Sequence, residues 1–369
     1  MDEAISRVVM PKWGLSMTTG KITTWLVSEG EEVADGDELA EVETDKIAGS
    51  LESNQPGLLR KVVAEAGTDV PVGATVALLA PAEVPDEEVQ RAAEQAREEL
   101  AAGEVAEVSG PETGSVEVDG RRIAHASLGA GDETIVLVHG YGGDKNSWLF
   151  VQEPLSERAA VHAVDLPGHG ESTKDVGDGS LATLAGAVLG FLREKGIERA
   201  HLVGHSLGGA VVVEAAAQDP GRVASLTLLA PAGFGSGVNA EYLRGFAAAG
   251  SRRELRPHLK ALFADPDQAT RQLADDLMGF KRIDGVPEAL NTLVGTLLDG
   301  DVQRLDVTGA LGGVDVPVAV VWGREDAVLP VGNAAALGDR AVSYVDGAGH
   351  MVHMEQPTPV VEAVRGQLK

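Results

Sequence analysis

Three side chains of this sequence have the types and the chain order to break and remake an acyl bond. Ser206 lies in Gly204-His205-Ser206-Leu207-Gly208, after an apolar run and before a helix-like stretch that ends near Gln218. Two glycines beside the serine permit a tight strand–turn–helix that pushes the hydroxyl out at a sheet edge. Taken alone, the pentapeptide also reads as a glycine-rich turn with a capping serine. Asp326 and His350 follow in the segments Gly323–Pro330 and Asp346–His353, each just after an apolar run. Asp346 and His353 compete for the same two roles. Asp346 suits the turn of its own loop, and His353 suits a pocket or structural place. In this arrangement Ser206 attacks a carbonyl, His350 takes the proton and returns it to the leaving group, and Asp326 holds the imidazole tautomer. The backbone N–H groups of Leu207 and of Tyr141, in His139-Gly140-Tyr141-Gly142-Gly143, would hold the oxyanion.

A different chemistry is suggested by Lys46, in Glu43-Thr44-Asp45-Lys46-Ile47. By itself this is a solvated turn pair. On either side, however, the sequence repeats at an offset of 37: Gly20/Gly57, Gly30/Gly67, Val33/Val70, Gly36/Gly73 and Leu39/Val76. Two copies at a fixed period mean one structural unit used twice. Lys46 joins the copies, where an exposed hairpin tip is expected. A lysine there is a poor core residue and a good handle for covalent modification.

The elements that must position these groups fall into two sets. Residues 5–80 read as short strands of β-branched and small residues punctuated by Gly and Asp. From Val116 the pattern changes to a hairpin with an Asp119-Gly120 turn. Apolar runs at 134–139, 161–165, 200–204, 226–230, 318–322 and 341–345 then alternate with helical stretches near 180–195, 207–218 and 355–367. That alternation predicts a doubly wound, mostly parallel sheet. Residues 232–312 interrupt it with mostly helical sequence and read as a cap over the ligand edge. The expected domains are therefore 1–80, an acidic, partly helical linker over 81–115, and 116–369. A weak stripe of Val89, Ala93, Ala96 and Leu100 is too poor in large side chains to predict a core helix, so 81–115 reads as a tether.

Charge and composition narrow the partners. The 369 residues carry a net charge of −27, against nucleic acid or an anionic membrane as the main partner. No run of about 18 apolar residues suits a membrane span. The first residues lack the basic and apolar regions of a secretory leader, so a cytoplasmic location is expected. With no cysteine, disulfides, thiolate metal sites and a Cys nucleophile are excluded together. Within the cap, Arg244, Arg252, Arg253, Arg256 and Lys260 face one acid in sequence, Glu254. This island reads either as a solvated helix face or as an anion dock.

Two resemblances follow from these motifs. Met10-Pro-Lys-Trp-Gly-Leu-Ser-Met17 through Glu41-Val-Glu-Thr-Asp-Lys-Ile47 resembles the lipoyl domains of 2-oxo-acid and acetoin dehydrogenase complexes. That implies a small all-β sandwich of two pseudo-symmetric halves, with lipoate in amide linkage to Lys46. Biotin carriers share the fold but usually flank the lysine with Met, where this sequence has Asp45 and Ile47. Residues 116–369 resemble the α/β-hydrolase superfamily, whose chain order is Ser, Asp, His. The combination is similar to the acetyltransferase components of acetoin dehydrogenase complexes, although a His-x-x-x-Asp-Gly signature and a peripheral-subunit-binding domain are both missing. The resemblance implies acetyl transfer from dihydrolipoyl-lysine to coenzyme A. The serine site adds an expected acyl-Ser206 intermediate, and the basic island makes Arg252, Arg253 and Arg256 candidate contacts for CoA phosphates. The resemblance also implies a thiamine-diphosphate-dependent acetoin dehydrogenase component and dihydrolipoyl dehydrogenase as partners, and a homo-oligomer. An ester or thioester hydrolase with a lipoyl targeting domain, and a pure carrier with an inactive hydrolase scaffold, are the other readings of the same residues.

Overall fold

The repeat at an offset of 37 folds as two interlocked halves. A computed structural model describes residues 5–11, 17–44, 48–53, 55–103 and 110–369, which divide into two units, Met1–Pro111 and Glu112–Lys369. In the first unit, β1 (Ser6–Val9), β2 (Thr19–Trp25), β3 (Glu32–Val33) and β4 (Glu38–Glu43) are followed by β5 (Ala48–Glu52), β6 (Gly57–Val62), β7 (Asp69–Pro71) and β8 (Thr75–Ala80). They form two sheets, ordered β1-β8-β6-β3 and β5-β4-β2-β7. Val33 pairs with Gly57 and Val70 with Gly20, the same pairing with its members exchanged across the 37-residue offset. The hydrogen bonds repeat too: Gly30 N–H donates to Leu59 O and Gly67 N–H to Ile22 O, each at 2.7 Å. Gly30, Gly36, Gly67 and Gly73 all take φ between 84° and 95°, a region that side chains with a Cβ avoid. The equivalent pairs Ile22/Leu59 and Leu39/Val76 are all fully buried and form the core between the sheets. β4 and β5 pair antiparallel as far as Glu43 and Ala48, so Lys46 belongs to the connection between them. Asp45, Lys46 and Ile47 themselves lie outside the described residues.

The segment expected as a tether behaves differently over most of its length. α1 (Asp86–Ala102) packs on the first unit, with Val89, Ala93 and Ala96 buried against Val63, Leu78, Ala80 and Val84. The small side chains that argued against a core helix are what allow it to lie close to β6 and β8. Burial of Val89 contributes about 1.5–3 kcal/mol, and the two alanines less. Polar clamps fix the ends. Arg60 donates to Pro81 O and Val84 O and pairs with Asp86, Arg97 donates to Val62 O, and Arg7 pairs with Glu99. Gly103, at φ 72°, closes the helix.

The second unit is an eight-stranded sheet with helices on both faces. β9 (Glu112–Val118) and β10 (Arg121–Leu128) form the expected hairpin, with Asp119 and Gly120 both at positive φ. β11 (Thr134–Val138), β12 (Ala160–Val164), β13 (Ala200–His205) and β14 (Val223–Leu229) follow. The short pair β15 (Leu298–Asp299) and β16 (Val302–Gln303) stands apart, and β17 (Val318–Gly323) and β18 (Ser343–Val345) complete the sheet. The order is β18-β17-β14-β13-β11-β12-β10-β9, parallel from β18 through β12 and antiparallel from β12 to β9. α2 (Leu149–Ser156) and the C-terminal helix Pro357–Arg365 cover one face through Val151, Leu155, Val360 and Val364. α3 (Leu181–Glu194) and α4 (Leu207–Gln218) cover the other. Between β14 and β17 lie α5 (Ala240–Ala248), α6 (Arg252–Leu259), α7 (Arg271–Lys281) and α8 (Val286–Leu297), the helical segment expected as a cap.

Ala93→Asp places an unpaired carboxylate in the α1 contact, which costs more than this small interface supplies. Hydrogen exchange should show loss of protection across 86–102 while the two sheets keep theirs. Unchanged protection would contradict a helix held by its alanine face.

Candidate active site

The turn between β13 and α4 sets the geometry of everything around it. Ser206 adopts φ 53° and ψ −117°, a strained conformation that costs of order 1–3 kcal/mol for a non-glycine residue. The backbone on both sides holds it there. Ser206 N–H donates to Leu229 O, and Ser206 O accepts from Gly209 N and Ala232 N, each at 2.9 Å. The flanking glycines are required by contact. A Cβ on Gly208 would lie 2.1 Å from Val138 O, and one on Gly204 would lie 2.4 Å from Gly208 O. The first turn of α4 therefore rests directly on the ends of β11 and β13.

Asp326 and His350 meet at the ends of β17 and β18. His350 Nδ1 lies 2.8 Å from Asp326 Oδ2, and both side chains are buried. Asp326 accepts at four places: Oδ1 from Val328 N and Leu329 N at 2.8 Å each, and Oδ2 from Trp322 Nε1 at 3.2 Å and from His350. The carboxylate is thus saturated without water and fixes the imidazole with Nδ1 protonated, leaving Nε2 to act on a proton elsewhere. Asp346 is placed otherwise. It pairs with Arg324 at 2.6 Å and is largely exposed. His353 is fully buried against Trp148 and His205, with ring centroids at 4.6 and 4.5 Å, and burial pushes its pKa down to about 3.

His205, the residue before the serine, is tied to the backbone of the histidine. Its Nε2–H donates to the His350 carbonyl at 2.8 Å, and burial holds its ring neutral, well below the usual imidazole pKa. Ser206, the next residue, is 8% exposed, and its Cβ approaches the position a side chain on Gly140 would take to 2.9 Å. Gly140 begins the loop that carries Tyr141. Among the described residues, the backbone N–H groups of Tyr141 and Leu207 donate to no acceptor in the protein. Two unpaired donors flanking Ser206 are what an oxyanion site needs.

That loop is held from three sides, by residues with no functional signature in the sequence. His139 donates Nδ1–H to Gly140 O at 2.7 Å and accepts the Leu166 N–H at Nε2. His169 donates Nδ1–H to Pro167 O and accepts the Gly142 N–H at 3.1 Å. Burial keeps both rings neutral. Beneath them, buried Asp165 accepts from the Lys145 and Glu171 backbones and pairs with Lys145 Nζ at 3.2 Å. The segment Asp165–Ser172 therefore braces the Tyr141 loop. From the cap, Tyr141 O–H donates to Leu290 O, and the Phe246 ring stands edge-on to Tyr141 at 5.6 Å. The His350 loop has its own clamp. Glu355 accepts Gly349 N–H at 2.8 Å and Ala264 N–H at 2.7 Å, and Met351 N–H donates to Leu262 O. Partners such as Glu355, Trp322 and His169 carry no local sequence signal that would mark them.

The comparisons with known proteins agree with both units. Residues 133–357 match the family described as alpha/beta hydrolase fold, and residues 6–79 match the family described as biotin-requiring enzyme. Two relatives carry the description dihydrolipoyllysine-residue acetyltransferase component of acetoin cleaving system. One, from Pseudomonas putida, is 44% identical over 353 residues, covering 95% of each chain. The other, from Cupriavidus necator, is 44% identical over 364 residues, covering 96% of this chain and 95% of its own. In fold, residues of the second unit resemble a serine hydrolase from Cycloclasticus zankles at 22% identity and TM-score 0.62, over 70% of this chain and 97% of that one.

Asp326→Asn should slow acylation by an activated acetyl ester by about 10⁴-fold, because the wrong imidazole tautomer is then held. Asp346→Asn should leave it unchanged, and the reverse ranking would contradict the assignment. A pH effect on stability follows from the buried imidazoles. All nine histidines lie between His125 and His353, in the second unit. His162, pushed down to about 4, and His353, down to about 3, stay neutral in the fold while the unfolded chain takes up protons below about 6.5. Stability of this unit is therefore complete above pH 6.5 and falls as pH drops toward 4. In calorimetry at pH 5 its transition should move down before that of the histidine-free first unit; a first unit that melts earlier on acidification would contradict this.

Proposed function

Because this chain belongs to the family of dihydrolipoyllysine-residue acetyltransferase components of acetoin cleaving systems, we propose that it moves an acetyl group from a lipoyl thioester to coenzyme A through Ser206. The observation that supports the reading is the strained Ser206 turn between β13 and α4, tied through His205 to the backbone of a His350 that pairs with Asp326, in a chain that also holds the two-fold β unit. Lipoate in amide linkage on Lys46 would supply the dithiol on which the acetyl group arrives. The described part of the first unit fits that role: its halves are matched strand for strand, and Lys46 falls in the connection between β4 and β5.

The residues of the second unit account for the chemistry in two halves. Ser206 Oγ forms a bond to the acetyl carbonyl carbon as His350 Nε2 accepts its proton. The carbon–sulfur bond breaks, and His350 returns the proton to the departing thiol. His350 then takes the proton of the incoming CoA thiol, whose sulfur attacks the acetyl-serine, and Ser206 leaves reprotonated. Tyr141 and Leu207 N–H groups hold the oxyanion in both halves. A thioester is both substrate and product, so the protein needs no large driving force but must keep water from the acetyl-serine. The packing of Phe246 and Leu290 over the Tyr141 loop supports the cap in that role. The acetyl donor is loaded by a thiamine-diphosphate-dependent acetoin dehydrogenase component, and the dithiol is reoxidised by dihydrolipoyl dehydrogenase, in the cytoplasm.

The test is partition. With acetyl-dihydrolipoamide, the full chain should form acetyl-CoA in large excess over acetate when CoA is present. Predominant acetate at saturating CoA would reject transfer in favour of a thioester hydrolase. With the partner enzymes and acetoin, Lys46→Arg should abolish acetyl-CoA formation while sparing the reaction of free acetyl-dihydrolipoamide.

A further inference from the structure

A chain of 57 acidic and 30 basic side chains is not expected to line a concavity mainly with cations. One groove of the cap is lined that way. α6 and α7 enclose a groove of about 1020 Å³ lined by Arg252, Arg253, Arg256, Lys260 and Arg282, with Asp275 as the acid in its wall. Asp275 is engaged by Arg252 at 2.8 Å. Among the described residues, Arg253, Arg256, Lys260 and Arg282 have no carboxylate within ion-pair distance. Glu254, the acid nearest in sequence, is turned away and accepts the Gly250 N–H at 2.8 Å. Arg244, grouped with this island by sequence, is not part of it: it pairs with Asp301 at 2.6 Å and bonds Gly300 O. Arg282, about twenty residues further on, takes its place.

Four unpaired cations in one concavity repel one another, and the arrangement is relieved when an anion enters. Three features narrow the anion. The charges are spread along the groove and suit several phosphates rather than one carboxylate. Pro257 and Met278 add an apolar stretch of wall. Beyond Lys260 the chain runs into Leu262 and Ala264, which bond Met351 N–H and Glu355 beside His350. The segment that leaves the groove at Lys260 is thus hydrogen-bonded to the loop that carries the candidate acid–base histidine.

We infer that this groove binds the nucleotide end of the acyl acceptor, a ligand bearing both a diphosphate and a separate phosphate monoester beside an aromatic base. The inference rests on the reading that CoA is the acceptor, and it adds Lys260 and Arg282 to the expected contacts Arg252, Arg253 and Arg256.

The test uses the full chain with Arg253→Glu and Arg256→Glu combined. Neither residue touches Ser206, Asp326 or His350, so acylation by an activated acetyl ester should be unchanged. The KM for CoA should rise by at least about tenfold, the equivalent of about 1.4 kcal/mol. Calorimetric binding of adenosine 3′,5′-bisphosphate should be lost in the variant. Dephospho-CoA should be a poorer substrate than CoA for the unaltered protein and should lose that handicap in the variant. An unchanged KM for CoA together with unchanged nucleotide binding would overturn the inference. So would a rise confined to the KM for the lipoylated first unit, which would make the groove a dock for an acidic protein. Nucleotide binding is read without turnover. If the unaltered protein binds the nucleotide in this groove yet delivers acetyl to water, the groove stands and the transfer reading fails.

Discussion

The architecture of the second unit depends on one close approach, that of the first turn of α4 to the ends of β11 and β13. With Val138 O only 2.1 Å from where a Cβ on Gly208 would sit, nothing larger than hydrogen fits at that position. The approach forces Ser206 to positive φ, aims its side chain out of the sheet, and leaves the Leu207 N–H at a helix N-terminus with no internal partner. Strain at Ser206 is offset by three backbone hydrogen bonds, so the candidate nucleophile is also firmly constrained. Every other candidate group is arranged around that fixed point: the Tyr141 loop from β11, Asp326 from β17 and His350 after β18.

A second constraint is electrostatic. The unit buries several imidazoles and keeps them neutral, so each can donate from one nitrogen and, where a partner exists, accept at the other. His139 and His169 use both nitrogens to fasten the Tyr141 loop. His205 uses one to fasten the backbone of His350. His350, by contrast, lies against a buried carboxylate held by three other donors. That difference in partners separates the candidate acid–base imidazole from those that serve as rigid spacers.

Features encoded by neighbouring residues are legible in the sequence alone. The 37-residue repeat reappears as exchanged strand pairings, the Asp119-Gly120 turn as a hairpin with two positive φ values, and Gly-x-Ser-x-Gly as a strained elbow. Contacts between distant segments are not legible in that way. α1 is poor in large apolar side chains and reads as part of a tether, yet alanine is what a close helix–sheet contact uses. Arg244 and Arg282 exchange places in the basic island because helix direction, invisible in a charge count, decides which cations share a groove. Glu355 fastens the backbone of Ala264, 91 residues away, with nothing in its own neighbourhood to mark it.

The proposal puts a carrier lysine and a nucleophilic serine in one chain, and it stands on the serine becoming acetylated during transfer. The most direct measurement is to mix acetyl-dihydrolipoamide with the protein in the absence of CoA, quench, and map acetyl groups by peptide mass. Acetyl on the peptide containing Ser206, discharged when CoA is added before the quench, is the predicted result. Undiminished acetyl-CoA formation by Ser206→Ala, with no acetyl on that peptide in the unaltered protein, would contradict it.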